Sequence, residues 1–233
     1  MKELILQQAK QDIPLYFNDF KKFWDETNRN ISDEDLYIIY RVTLIFKNYK
    51  YSLHTIGIET YDLVINEIFE DINSSFFLAM LGLYRSAHMH LRSSIELSLQ
   101  LLYFIHHPIE YHLWKEGNFV IKHDKLISYF QNHPNFTTNI NTLLENITHS
   151  WKLFSKHIHG EAPIFFQCEK DARKTNSFAI KDFNIWKSNY TKNIYYLNKL
   201  FLLFFKNDLS RFPHNSYKLF ISLLKEDDME LIK

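Results

Sequence analysis

Residues 74–105, SSFFLAMLGLYRSAHMHLRSSIELSLQLLYFI, decide how this chain is read. The stretch holds no proline and one glycine, and its apolar residues recur at helical spacing. It reads as one long helix, capped at Asn73 or Ser74 and stopped by Pro108. Within it, His88, Arg92 and Glu96 follow one another at i,i+4 and so lie on one stripe. Charged groups are costly to bury unless they are paired, so this stripe requires partners. A second polar cluster, Ser155, His157 and His159, ends another apolar helix just before Gly160. The two clusters are expected to meet, with Arg92 and His159 close to one another.

Working outward, composition points the same way. Hydrophobic residues make up 46% of the 233 residues, enough for a sizeable core in one domain. The chain has 21 Phe and 14 Tyr but only 4 Gly and 5 Pro, so it favours long helices packed through large flat side chains over many turns. The net charge is zero, so no global basic field advertises nucleic acid. The single Cys168 excludes an intramolecular disulfide and fits a reducing cytoplasm. The N-terminus does not read as a signal peptide, and no apolar run reaches the length of a membrane span.

The expected fold is an all-α bundle of about seven to nine helices in one domain over 1–233, with one irregular or small β-hairpin excursion near 163–182. A first helix runs from Ile13-Pro14 to about Thr27, proline being tolerated in a first turn. Ser32 with Asp35 resembles a capping box and starts a pattern that continues to about Asp71, bent near Gly57. A short helix spans 109–115 and ends at Gly117; another covers 119–131. Thr137 or Thr138 starts a helix to Ile158, with Gly160 as its cap. Asp182 starts one to Asn207, Pro213 a last one to about Lys225, and the acidic tail frays.

Each polar cluster has a structural and a chemical reading. Arg92 and Glu96 form either an ordinary helical ion pair or an arginine held by a carboxylate and aimed at an anion. Arg85 and His90, in RSAHMH, match an R-x4-H pattern, but residues five apart on a helix point about 140° from each other. Ser155 and His159 are i,i+4 neighbours, His157 lies on another side, and a histidine in a last turn also suits the helix dipole. A metal site from His88, His157 and His159 is a third option. Spacings for zinc proteases, di-iron bundles, nucleotide loops and nucleophile elbows are absent.

Gly82, Ala87, Arg92 and Glu96 in GLYRSAHMHLRSSIE, followed by Ser155, His159 and Gly160 in SKHIHG, resemble the HEPN superfamily of helical proteins, most clearly its defence-associated bacterial members. The resemblance covers roughly residues 75–160. It implies a helical bundle that often dimerises, without a cofactor. Catalytic members cut RNA without a metal, through the arginine and histidine of an R-x4-6-H motif; many others have lost catalysis and bind partners or nucleotides. The motif match is Arg85 with His90, although Ser86 only loosely suits the polar position after the arginine. The alternative pair is Arg92 with His159. Metal-free cleavage needs proton transfer to and from the 2′- and 5′-oxygens, which a histidine performs, and charge stabilisation at phosphorus, which an arginine supplies. In that scheme Glu96 orients Arg92, Ser155 orients His159, Tyr84, Tyr103 or Trp151 stacks on a base, and His88 and His157 line the site. The first expectation is therefore a metal-independent ribonuclease or toxin of phage defence or a toxin–antitoxin pair, with RNA, a second copy and an antitoxin or defence protein as partners. The other is a non-catalytic helical module that binds a ligand or partner.

Overall fold

The structure, a computed structural model, describes residues 1–136, 140–166, 168–169, 172–173 and 178–232. It is all-α, with ten α-helices among the described residues. The first, α1 (Lys2–Asn30), is longer than its sequence pattern suggested and carries Pro14 inside it. A proline there leaves one backbone carbonyl without its helical donor, a loss made tolerable by the solvent exposure of this half of the helix. Only the C-terminal part of α1 reaches the core, through Phe23 and Thr27. Ser32 caps α2 (Asp33–Thr55), its Oγ accepting from the Asp35 amide at 3.1 Å, and Asp33, Glu34 and Asp35 suit the positive end of the helix.

The pattern expected to run from Ser32 to Asp71 is two helices. α2 ends at Thr55, and a 3-10 turn at Glu59–Tyr61 leads into α3 (Asp62–Met80). The long helix expected over 74–105 is also broken. Its first turns belong to α3, so neither Asn73 nor Ser74 caps anything, and α4 (Tyr84–His106) starts afresh after Gly82. Gly82 has φ +73°, and the Leu83 and Gly82 amides close back on Leu78 O and Ala79 O at 2.8 and 2.9 Å. That is a Schellman ending, which uses the left-handed conformation glycine adopts without penalty. A Cβ at Gly82 would also fall 2.5 Å from the buried Phe23 ring, so the same residue lets α1 close over the turn.

The remaining helices are α5 (Pro108–Lys115), α6 (His123–Gln131), α7 (Asn141–His159), α8 (Ile180–Phe204), α9 (His214–Ile221) and α10 (Glu226–Ile232). α6 starts four residues later than expected. The start expected for α7, at Thr137 or Thr138, lies outside the described residues. The acidic tail is helical as α10. The extra break and this tail raise the number above the seven to nine expected. Between α7 and α8, Pro163–Phe165 makes a 3-10 turn, and Cys168–Glu169 pairs antiparallel with Ala172–Arg173. The β-hairpin expected there comes to no more than this two-residue ladder; 167, 170–171 and 174–177 lie outside the described residues.

α4 packs most extensively on α3, then on α7, and α8 closes the bundle against α2, α4 and α7. Aromatic residues fill the interior. Tyr49 stacks on Phe220 at 4.0 Å and contacts Phe201, while Trp186 and Tyr190 are fully buried on α8. Their polar ends are satisfied: Tyr49 Oη donates to Asn198 Oδ1 at 2.8 Å, and Trp186 Nε1 donates to Ser75 Oγ at 3.2 Å. No helix among the described residues is long and apolar enough to cross a membrane.

Candidate functional site

α4 and α7 run antiparallel, and the polar residues of both meet along their seam. Three contacts define the register. At one end, Arg85 Nε donates to His157 O at 2.7 Å and Nη2 to Ile158 O at 2.9 Å. These carbonyls belong to the last turn of α7, where the helix supplies no donor and carries partial negative charge. Arg85 is therefore a cap delivered from a neighbouring helix.

One turn along, His88 is 1% exposed. Its Nδ1 lies 2.6 Å from Tyr84 O and its Nε2 3.0 Å from Asn189 Nδ2 of α8. A carbonyl only accepts and an amide nitrogen only donates, so the ring carries its hydrogen on Nδ1 and is neutral. Burial pushes the His88 pKa down to about 4. His157 stacks on His88 with centroids 4.0 Å apart, and Phe165 meets it edge-on. Burial, with His88 and the Arg85 cation beside it, lowers the His157 pKa to about 3. The two imidazoles form a parallel stack rather than converging on a point, and no group of three metal-ligating side chains occurs among the described residues. The third option, a metal held by His88, His157 and His159, has no such geometry.

Further along, Arg92 Nη2 pairs with Glu96 Oε1 at 3.0 Å, and its guanidinium lies 5.1 Å over the Trp151 ring. Trp151 Nε1 donates to the same Glu96 oxygen at 2.8 Å. His123 of α6 stacks on Trp151 at 4.4 Å, and its Nε2 lies 3.3 Å from Thr148 Oγ1. Burial, aided by Arg92 and Lys152, lowers the His123 pKa. Arg92 Nε and His123 Nδ1 are buried without hydrogen-bond partners. This half-exposed cluster thus combines a cation, a carboxylate, a flat aromatic face and unsatisfied polar atoms.

The sequence-derived candidates separate accordingly. His88, Arg92 and Glu96 share the α4 stripe, and the stripe does face α7. Its partners there are His157 and Trp151, however. Ser155 donates to Trp151 O at 2.8 Å in its own helix rather than orienting His159. His159 is exposed, eight residues beyond Trp151, which is about 12 Å along the axis. No hydrogen bond or ion pair joins Arg92 to His159 among the described residues. The rival pair diverges too. Arg85 turns to α7, whereas His90 Nδ1 donates to Asp71 Oδ1 of α3 at 2.7 Å. Asp71 is buried, with Oδ2 unpartnered. Tyr84 is half-buried against the core, its hydroxyl is buried without a hydrogen-bond partner, and burial raises its pKa.

Asp71, Asn189 and the joint role of Trp151 with His123 were not read from the sequence. They sit on four other helices, and only the tertiary register brings them to α4. A comparison with family models, with characterised proteins and with solved structures finds no match to this chain.

Proposed function

We propose that the chain is a HEPN-like helical module of bacterial defence or toxin–antitoxin type, which works by binding a ligand or protein partner rather than by cutting RNA. One observation carries the preference for binding. Arg85, the arginine of the R-x4-H motif, spends its Nε and Nη2 on the carbonyls that end α7. A guanidinium so engaged is unavailable as a two-point clamp for phosphate. The protein acts in the cytoplasm and without a cofactor in this reading. A second copy is a further partner, supported by Leu4, Ile13 and Phe17, which are 74, 66 and 68% exposed on the half of α1 that leaves the core. Light scattering at a mass near 28.2 kDa at tens of micromolar would remove the homodimer from the proposal.

The metal-independent ribonuclease is the second reading, favoured by the Asp71–His90 hydrogen bond. A buried carboxylate that fixes Nδ1–H leaves Nε2 to exchange a proton with the 2′-hydroxyl. The phosphate-binding arginine would then come from a second copy. Total RNA incubated with wild type, His90→Ala, Arg92→Ala and His159→Ala, with and without EDTA, separates the readings. The binding module leaves RNA intact throughout. Cleavage that survives EDTA and falls about 10²- to 10⁴-fold in His90→Ala replaces it with the ribonuclease. The same loss in Arg92→Ala and His159→Ala, with His90→Ala unaffected, assigns that activity to the other pair.

A further inference from the structure

A cleft lies away from the α4–α7 polar seam, where α2, α7 and α8 meet the C-terminal segment. Its volume is about 530 Å³, within the range of small-molecule sites. Two features of its lining are unusual together. Ile38, Val42, Leu143 and Leu203 supply an apolar wall, and Arg41, Lys192, Lys199 and Lys225 supply positive charge, with no Asp or Glu lining it among the described residues. The chain as a whole is neutral, so this accumulation is local, and like charges gathered in one concavity repel unless an anion joins them.

The cations differ in how they are compensated. Lys199 is paired with Asp228, which also accepts from Tyr195. Arg41, Lys192 and Lys225 make no ion pair among the described residues. Arg41 Nε is buried and has no hydrogen-bond acceptor, a costly state for a charged donor. Its guanidinium is held over the Tyr37 ring at 5.5 Å, and Lys225 Nζ lies 5.8 Å over Tyr195. Aromatic faces steady these two cations without neutralising them. A bare inorganic ion would answer the charge but leave the apolar wall wet.

We infer that this cleft binds a small amphipathic organic anion, a phosphate or carboxylate head on an apolar body, with Arg41, Lys192 and Lys225 receiving the head. The inference stands independently of the reading given to the α4–α7 seam.

The test uses the full chain and the fluorescence of 1-anilinonaphthalene-8-sulfonate, an aryl anion of this class. Competitors are decyl phosphate, decanoate and inorganic phosphate. We expect one saturable site per chain. Decyl phosphate or decanoate should displace the probe at concentrations at least about tenfold below inorganic phosphate, and the choice between them identifies the head group. Arg41→Gln should weaken probe binding about tenfold. Lys192→Gln/Lys225→Gln, two exposed positions where folding is not at stake, should do the same, and Lys192→Arg/Lys225→Arg should restore it. Absence of saturable binding overturns the inference. So does equal competition by inorganic phosphate, or wild-type affinity in the lysine pair variant with an unchanged melting temperature.

Discussion

Replacing Arg85 by alanine removes the two donors that close the end of α7, and the cost follows from the geometry. Hydrogen bonds of 2.7 and 2.9 Å run to His157 O and Ile158 O. Bonds from a charged donor contribute about 1.5–3 kcal/mol each, and a cation at a helix C-terminus adds a few tenths of a kcal/mol or more. Arg85 is half-buried, so water replaces part of this after truncation. The net loss should be about 2–4 kcal/mol. For a domain of this length, each kcal/mol moves the midpoint by roughly 2–4 °C. Thermal unfolding followed by far-UV circular dichroism should therefore show a drop of about 5–15 °C. Arg85→Lys keeps the charge but not the fork, and should recover less than half of the drop. A change of under about 2 °C in Arg85→Ala would refute the capping role. It would free this arginine for an anion, and with it the ribonuclease reading.

Gly82→Ala meets two penalties, a positive φ and a Cβ 2.5 Å from Phe23, and should cost about 2–5 kcal/mol in urea unfolding. Gly117→Ala, at φ +75° with nothing within 4 Å, should cost only about 1 kcal/mol; equal costs would refute the role of the Phe23 contact. His88 titrates at about 4 when folded against 6.5 when unfolded, so between those values the unfolded chain binds more protons. Stability contributed by the neutral ring is complete above pH 6.5 and declines as pH falls, by roughly 3 kcal/mol at pH 4. His157 acts in the same direction. Urea unfolding at several pH values should show a shallower slope for His88→Gln than for wild type between pH 6.5 and 4, and matching slopes would refute the assignment.

Much of the architecture is legible where local chemistry acts alone. Ser32 starts a helix by its hydroxyl, Pro108 stops one because it lacks an N–H to continue it, and Gly160 ends one at φ +59°. The break at Gly82 is not legible from periodicity, because the buried positions Phe76, Met80, Ala87 and Leu91 stay in phase across it. The apolar stripe of a continuous helix looks the same there as that of two helices folded back on each other. Pro14 misleads in the opposite direction. It marks a plausible first turn, yet α1 starts at Lys2, since an exposed helix tolerates the missing bond. In the candidate site, the Arg92–Glu96 pair could be read because both ends lie on one helix. The stacking of His157 on His88, and the meeting of Asp71 with His90, depend on which residue faces which across helices. That register is a property of the packed core and leaves no trace in residue spacing.

The turn at Gly82 also bears on how the chain comes to fold. It joins α3 and α4 through three residues, 81–83, so their extensive mutual surface forms at almost no loop-closure cost. Such a pair collects its contacts early, while the docking of α8, more than a hundred residues from α2, waits for long-range closure. The α3–α4 hairpin is thus the natural nucleus, and in native-state hydrogen exchange its amides should be among the last to open. Exchange of the α3 and α4 amides ahead of those in α8 would contradict that order. A residue that looks like a flaw in a long helix would then set the order in which the bundle assembles.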